Sequence, residues 1–139
     1  MRRLGIIQTN IMARPQRSLN DEEAKRVEAI QHALEQIDGP VILVAHSAGV
    51  LMVAHWAAHY RRPIKGALLV APPDLDAVWP QGYPSAEFLA SHGWHPLPQA
   101  PLPFPSIVAA STNDHLASFP AVTRMAQNWG AELLDLGDV

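Results

Sequence analysis

Apolar residues along this chain follow two rhythms. Short continuous aliphatic runs at 41–44, 66–71, 106–110 and 132–136 are bounded by Gly or Pro, the pattern of strands in a parallel sheet. Between them, Ala24, Val27, Ile30, Leu34 and Ile37 recur at helical spacing, residues 50–60 are mostly apolar without Gly or Pro, and a helix starting at Ser118 or Pro120 runs to Trp129. Asn20 or Asp21, followed by Glu22 and Glu23, reads as the N-cap and first turn of the first helix. Asp38-Gly39-Pro40, Pro63 and Gly130 are the stop signals. Residues 1–19 are poorly patterned; residues 4–7 form at most a remnant strand, so the N-terminal strand is doubtful. Residues 72–105 make a long Pro-rich loop with a short helix at 85–90, and loops of this length are usually functional. Strands alternating with helices predict an α/β fold, a three-layer sandwich with a mostly parallel sheet covered on both faces, in a single domain spanning 1–139.

The strand at 41–44 runs into Ala45-His46-Ser47-Ala48-Gly49 and then into the second helix. Ala45 and Gly49 stand two residues before and two after Ser47, where a sharp strand-to-helix turn tolerates only small side chains. Gly is usual at the first of these positions, so alanine is a mild departure. A small-x-Ser-x-Gly match arises by chance in roughly one chain of this length in ten. Strand, turn and apolar helix in that order make it specific, and Ser47 is the candidate nucleophile.

Composition narrows the chemistry. With 139 residues, 48% hydrophobic and 17% charged, the chain is globular and long enough for one core. A formal charge of -3 without a basic block gives no reason to expect a nucleic-acid or membrane partner. Cysteine is absent, which excludes disulfides, thiolate catalysis and cysteine-based zinc sites. No metal and no cofactor is expected: His55 and His59 lie one helical turn apart, yet no third ligand is evident, and Gly-rich phosphate loops are missing. The N-terminal apolar stretch is too short for a signal sequence, so the expected location is cytoplasmic.

A serine nucleophile needs a base, and the base needs an acid that holds its tautomer. In an elbow architecture the acid follows a later strand and the His comes last. Asp114, directly after the strand at 106–110, is the best acid candidate, with turn capping as its plain alternative. No convincing base follows. His115 adjoins Asp114, His46 should point away from Ser47, His32 lies on the amphipathic helix, and His92 and His95 are in the long loop within possible reach of the cleft.

Residues 41–49, 53–56, 66–74, 101–106, 111–114 and 129–138 together resemble the small serine hydrolases of the YdeN-like, or retinoblastoma-binding-protein-nine-like, family. The resemblance covers the chain from about residue 38 onward. It implies a compact α/β-hydrolase fold, with Ser47 and Asp114 as nucleophile and acid and the amide of Ala48 as an oxyanion-hole donor. It also implies a triad His shortly after the segment matching Leu136-Gly137-Asp138, typically as Gly-His, where this chain has Val139. Residues 1–19 do not show the family's first strand and Gly-rich turn, so the match is to a protein shortened at both ends.

The function expected is hydrolysis of small carboxylic esters or related acyl compounds through an acyl-serine intermediate, inactive in this form if the triad His is absent. The substrate would lie between Ser47 and His46, Trp79, Phe88 and Trp94. The rival expectation is a degenerate, non-catalytic α/β-hydrolase-fold binding protein; a flavodoxin- or Rossmann-like domain is weaker, for want of a Gly-rich loop. The only partner expected is a small-molecule acyl substrate, and the sequence is silent on oligomeric state.

Overall fold

The structure is a computed structural model that describes residues 5–9 and 22–138. In chain order the elements are β1 (Gly5–Thr9), α1 (Glu22–Glu35), β2 (Val41–His46), α2 (Ala48–His59), β3 (Gly66–Val70), α3 (Ala86–Ser91), β4 (Ser106–Ser111), α4 (Phe119–Trp129) and β5 (Glu132–Gly137). The five strands form one parallel sheet in the order β1-β2-β3-β4-β5.

The doubtful N-terminal strand is present from Gly5 to Thr9, and Leu4 lies outside the described residues. Its polar end, Gln8-Thr9, hides it from a hydrophobicity reading, whereas parallel pairing with Val44 and Ala45 of β2 defines it. The N-cap expected at Asn20 or Asp21 lies outside the described residues. The remaining helices start and stop on recognisable residues. Ser85 and Ser118 cap α3 and α4 by accepting from the N–H groups of Phe88 and Ala121. Gly130, at φ 68°, closes α4 in the left-handed conformation.

Every strand is added on the same side of its predecessor. Right-handed crossovers, the near-universal hand for parallel connections, then place the intervening helices on one face of the sheet. The packing agrees: α1 lies on α2, α2 on β2, and α4 on β4 and β5. The short helix α3 joins the same layer through Leu89, and Glu23 of α1 donates its N–H to His92 just beyond it.

The core follows from this one-sidedness. Leu43, Ala45, Ala67, Leu69, Val108 and Ala110 point from the sheet into the helices, where Trp56 and Trp129 are also buried. Their strand neighbours Ile42, Val44, Leu68 and Val70 point the other way and stay partly exposed. Ile107, on the same side, is 39% exposed. The α/β class and parallel sheet match the sequence reading; among the described residues, however, helices cover one face of the sheet rather than two. Strands that are aliphatic on both sides conceal that difference in sequence.

Candidate functional site

In a parallel sheet all carboxyl ends share one edge, and Ser47 lies there, between β2 and α2. Its backbone is left-handed, with φ 56° and ψ −123°. For a serine that conformation costs about 1–3 kcal/mol and persists only where the surroundings impose it. Here the Ser47 N–H donates to Val70 O on β3 at 2.8 Å, and the Val50 N–H donates to Ser47 O at 3.0 Å. Ala45, Ala48 and Gly49 are buried around it, so bulkier residues would meet packed neighbours.

Ser47 occupies the N-cap position of α2, yet its hydroxyl makes no capping hydrogen bond. The contrast with Ser85 and Ser118, whose hydroxyls are spent on their helices, separates a structural serine from an uncommitted one. The first turn of α2 holds no acidic residue, so its positive end is not neutralised by a side chain. The amide of Ala48, the first helical residue, stands at that end.

Asp114 lies just past β4, two strand positions from β2, which is about 10 Å across the same edge. That separation leaves room for an imidazole between the two side chains. The Leu116 N–H donates to Asp114 Oδ1 at 2.8 Å, so one carboxylate oxygen caps the turn while the other remains for a second role. The Asn113 N–H donates to Ser111 Oγ, and the Thr112 N–H to Gly137 O, tying the turn to β5.

The four residues expected to bind substrate do not converge. Trp79 Nε1–H donates to Asp74 O at 2.8 Å and to Leu116 O at 3.0 Å, which places it at the Asp114 turn. Phe88 stacks on His92, with ring centroids 4.1 Å apart, on the α1 side of the molecule. Trp94 is fully buried in the core, its ring edge-on to His55, and lines no open cleft. A large aromatic in a long loop serves the core as readily as a cleft, and sequence does not distinguish the two. His46 is exposed and, one residue before Ser47 on an alternating strand, points to the face away from the helices.

Among the described residues no histidine bonds to Asp114 or Ser47. His95 Nε2 is 3.0 Å from Asp76 Oδ1, beside a cavity of about 490 Å³ lined by Asp74, Arg124 and Trp129, with neither Ser47 nor Asp114 in its walls. His92 Nδ1 faces Phe88 O at 2.8 Å.

His55 forms a joint that its own stretch of sequence does not reveal. Its Nδ1 is 2.9 Å from Glu23 Oε2 on α1, and its Nε2–H donates to Trp94 O at 2.9 Å. His59 Nε2 approaches the same carboxylate oxygen at 3.4 Å. Burial holds the His55 imidazole below its ordinary value of 6.5, against the opposing pull of the Trp94 carbonyl and the Glu23 carboxylate. Glu23 is thus the acidic neighbour of the His55/His59 pair, although no group of described residues has an arrangement suited to a metal ion. The signal that could have found it is acidic residues at the start of one helix together with an i, i+4 histidine pair on another, His55 buried and His59 exposed. No described helix is long and apolar enough to cross a membrane.

Residues 7–139 match a protein-family model described as serine hydrolase. Among solved structures, a YdeN-like hydrolase of Pectobacterium atrosepticum SCRI1043 is 30% identical with a TM-score of 0.68, over 90% of this chain and 60% of that one. The Paleococcus ferrophilus monoacylglycerol lipase (TM-score 0.63, 13% identity, 88% of this chain and 68% of that one) shares the fold. So does the RedJ thioesterase of the prodiginine pathway in Streptomyces coelicolor (TM-score 0.59, 15% identity, 88% and 64%). No curated protein matches the chain. The chain spans about three-fifths of the length of the YdeN-like hydrolase.

Proposed function

Because the chain belongs to the serine hydrolase family, we propose that it is built to cleave small carboxylic esters or related acyl compounds, with Ser47 as nucleophile and Asp114 as acid. The observation that carries this reading is Ser47 itself: a left-handed backbone held from two sides, with a hydroxyl not spent on its helix. Ser47 Oγ adds to the acyl carbon while a base takes its proton. Negative charge develops on the acyl oxygen, where the Ala48 amide at the start of α2 is placed to stabilise it. Collapse expels the alcohol, which takes a proton from the base, and water then releases the acid from Ser47.

Among the described residues no histidine meets Asp114 to act as the base. Triad order in this architecture places the His after Asp114, where the sequence offers His115 alone. Loss of one triad member costs on the order of a million-fold in turnover. We therefore expect this chain to turn over esters barely faster than a Ser47→Ala variant. A second reading, a degenerate non-catalytic protein with the same sheet, draws support from the lack of a described histidine at Asp114.

A fluorophosphonate probe tests the assignment. Slow covalent labelling that maps to Ser47 and accelerates with added imidazole supports the hydrolase reading. Labelling that imidazole does not accelerate favours the degenerate protein, and no adduct at millimolar probe removes Ser47 as nucleophile.

A further inference from the structure

A cavity of about 490 Å³ lies between the loop that follows β3, the segment at 95–99 and α4. Cavities of this size hold small molecules. Its walls contain neither Ser47 nor Asp114, so what it binds does not depend on the hydrolase reading.

Both sides of the cavity are held in place. On the loop side the Asp74 N–H donates to Leu116 O at 3.0 Å, and Asp74 O accepts from Trp79 Nε1–H at 2.8 Å. Asp74 Oδ1 accepts from the Asp76 N–H at 2.9 Å, which leaves Oδ2 for a ligand. On the other side the Trp129 Nε1–H donates to Pro98 O at 2.8 Å and ties the 95–99 segment to α4. Groups fixed in this way lose little freedom when a ligand arrives.

Charge in the walls is divided by side. The loop brings two carboxylates, Asp74 and Asp76, of which Asp76 accepts from His95 Nε2–H at 3.0 Å. The helix brings Arg124, with Gln127 one turn along the same face. Among the described residues Arg124 has no ion pair, so the carboxylates in the facing wall do not consume its charge. Leu97 and Met125, both half-buried, add apolar wall.

We propose that this cavity binds a free α-amino acid with a large apolar side chain. A simple anion meets two carboxylates for one guanidinium, and a simple cation meets Arg124, so neither matches both walls. A zwitterion matches them. Its ammonium donates to Asp74 Oδ2, and its carboxylate takes the Arg124 guanidinium, whose planar fork fits it bidentately. The ligand side chain covers Leu97 and Met125 in place of water.

Isothermal titration calorimetry of the full chain with L-phenylalanine tests this. A ligand of about a dozen heavy atoms, held at both ends, is expected to bind with a Kd of about 0.1–5 mM. Its single-charge analogues, 3-phenylpropanoate and phenethylamine, should bind about ten-fold more weakly or worse. Arg124→Gln and Asp74→Asn should each weaken L-phenylalanine binding about ten-fold. Asparagine keeps an oxygen to accept from the Asp76 N–H, so the second variant removes charge while the loop keeps its shape. Ser47→Ala is expected to bind as the wild type does, which separates this cavity from the candidate nucleophile. No binding at about 50 mM L-phenylalanine overturns the proposal. So does binding that neither wall variant weakens, binding that Ser47→Ala abolishes, or equal affinity for 3-phenylpropanoate.

Discussion

The two sides of the sheet are made from alternate residues of the same strands, yet they belong to different environments. Leu69 is 1% exposed beneath the helices, while Leu68 beside it is partly exposed on the side that no described helix covers. Val108 and Ile107 divide in the same way, fully buried against 39% exposed. Both sides are aliphatic, so what separates them is the layer laid over them, and that layer follows from strand order. Apolar composition therefore states a capacity for burial, and topology decides where burial is realised.

The most direct way to break this comparison is to shorten each leucine in turn. Leu69→Ala is expected to cost about 3 kcal/mol by urea denaturation, from lost burial and a cavity that helices and sheet cannot close. Leu68→Ala is expected to cost about 1 kcal/mol in dilute solution, where its surroundings are partly water. Equal costs would mean that the two sides are buried alike.

A second test uses pH on the covered side only. His55 resists protonation in the folded chain, whereas the unfolded chain takes up the proton near 6.5. Below that pH the unfolded state binds more protons, so stability present above 6.5 is lost as the solution is acidified. Between pH 7.5 and 5.5 the wild type should lose more stability than His55→Gln, the two measured by denaturant midpoint.

An effect of similar size but opposite sign belongs to Ser47, at the carboxyl edge of the sheet. Ser47→Gly relieves the left-handed strain and is expected to stabilise the fold by about 1 kcal/mol while abolishing fluorophosphonate labelling. A destabilised Ser47→Gly protein would show that the serine side chain, rather than function, holds that turn.

Much of this was legible in the sequence. Gly and Pro punctuation set off β2, β3 and β4, Ser118 and Gly130 bounded α4, and small residues around Ser47 announced the turn. Which side the described helices cover was not legible, because Gly66-Ala67-Leu68-Leu69-Val70 reads the same whether one or both of its faces are covered. The Glu23–His55–Trp94 joint was hidden for another reason: its members come from three separate segments, and no local period links them. Trp94 shows the same limit, since its burial depends on α2, a segment distant in sequence.

The consecutive order of the strands has a bearing on how the molecule is made. No strand has to be inserted between two already paired, so each can join a template completed earlier in translation. Pairing of neighbours in the sequence keeps the β1–β2, β2–β3 and β4–β5 closures modest for a parallel sheet, whereas β3 and β4 are joined across the long 72–105 segment. The described strands can thus be added one after another in the order β1 to β5.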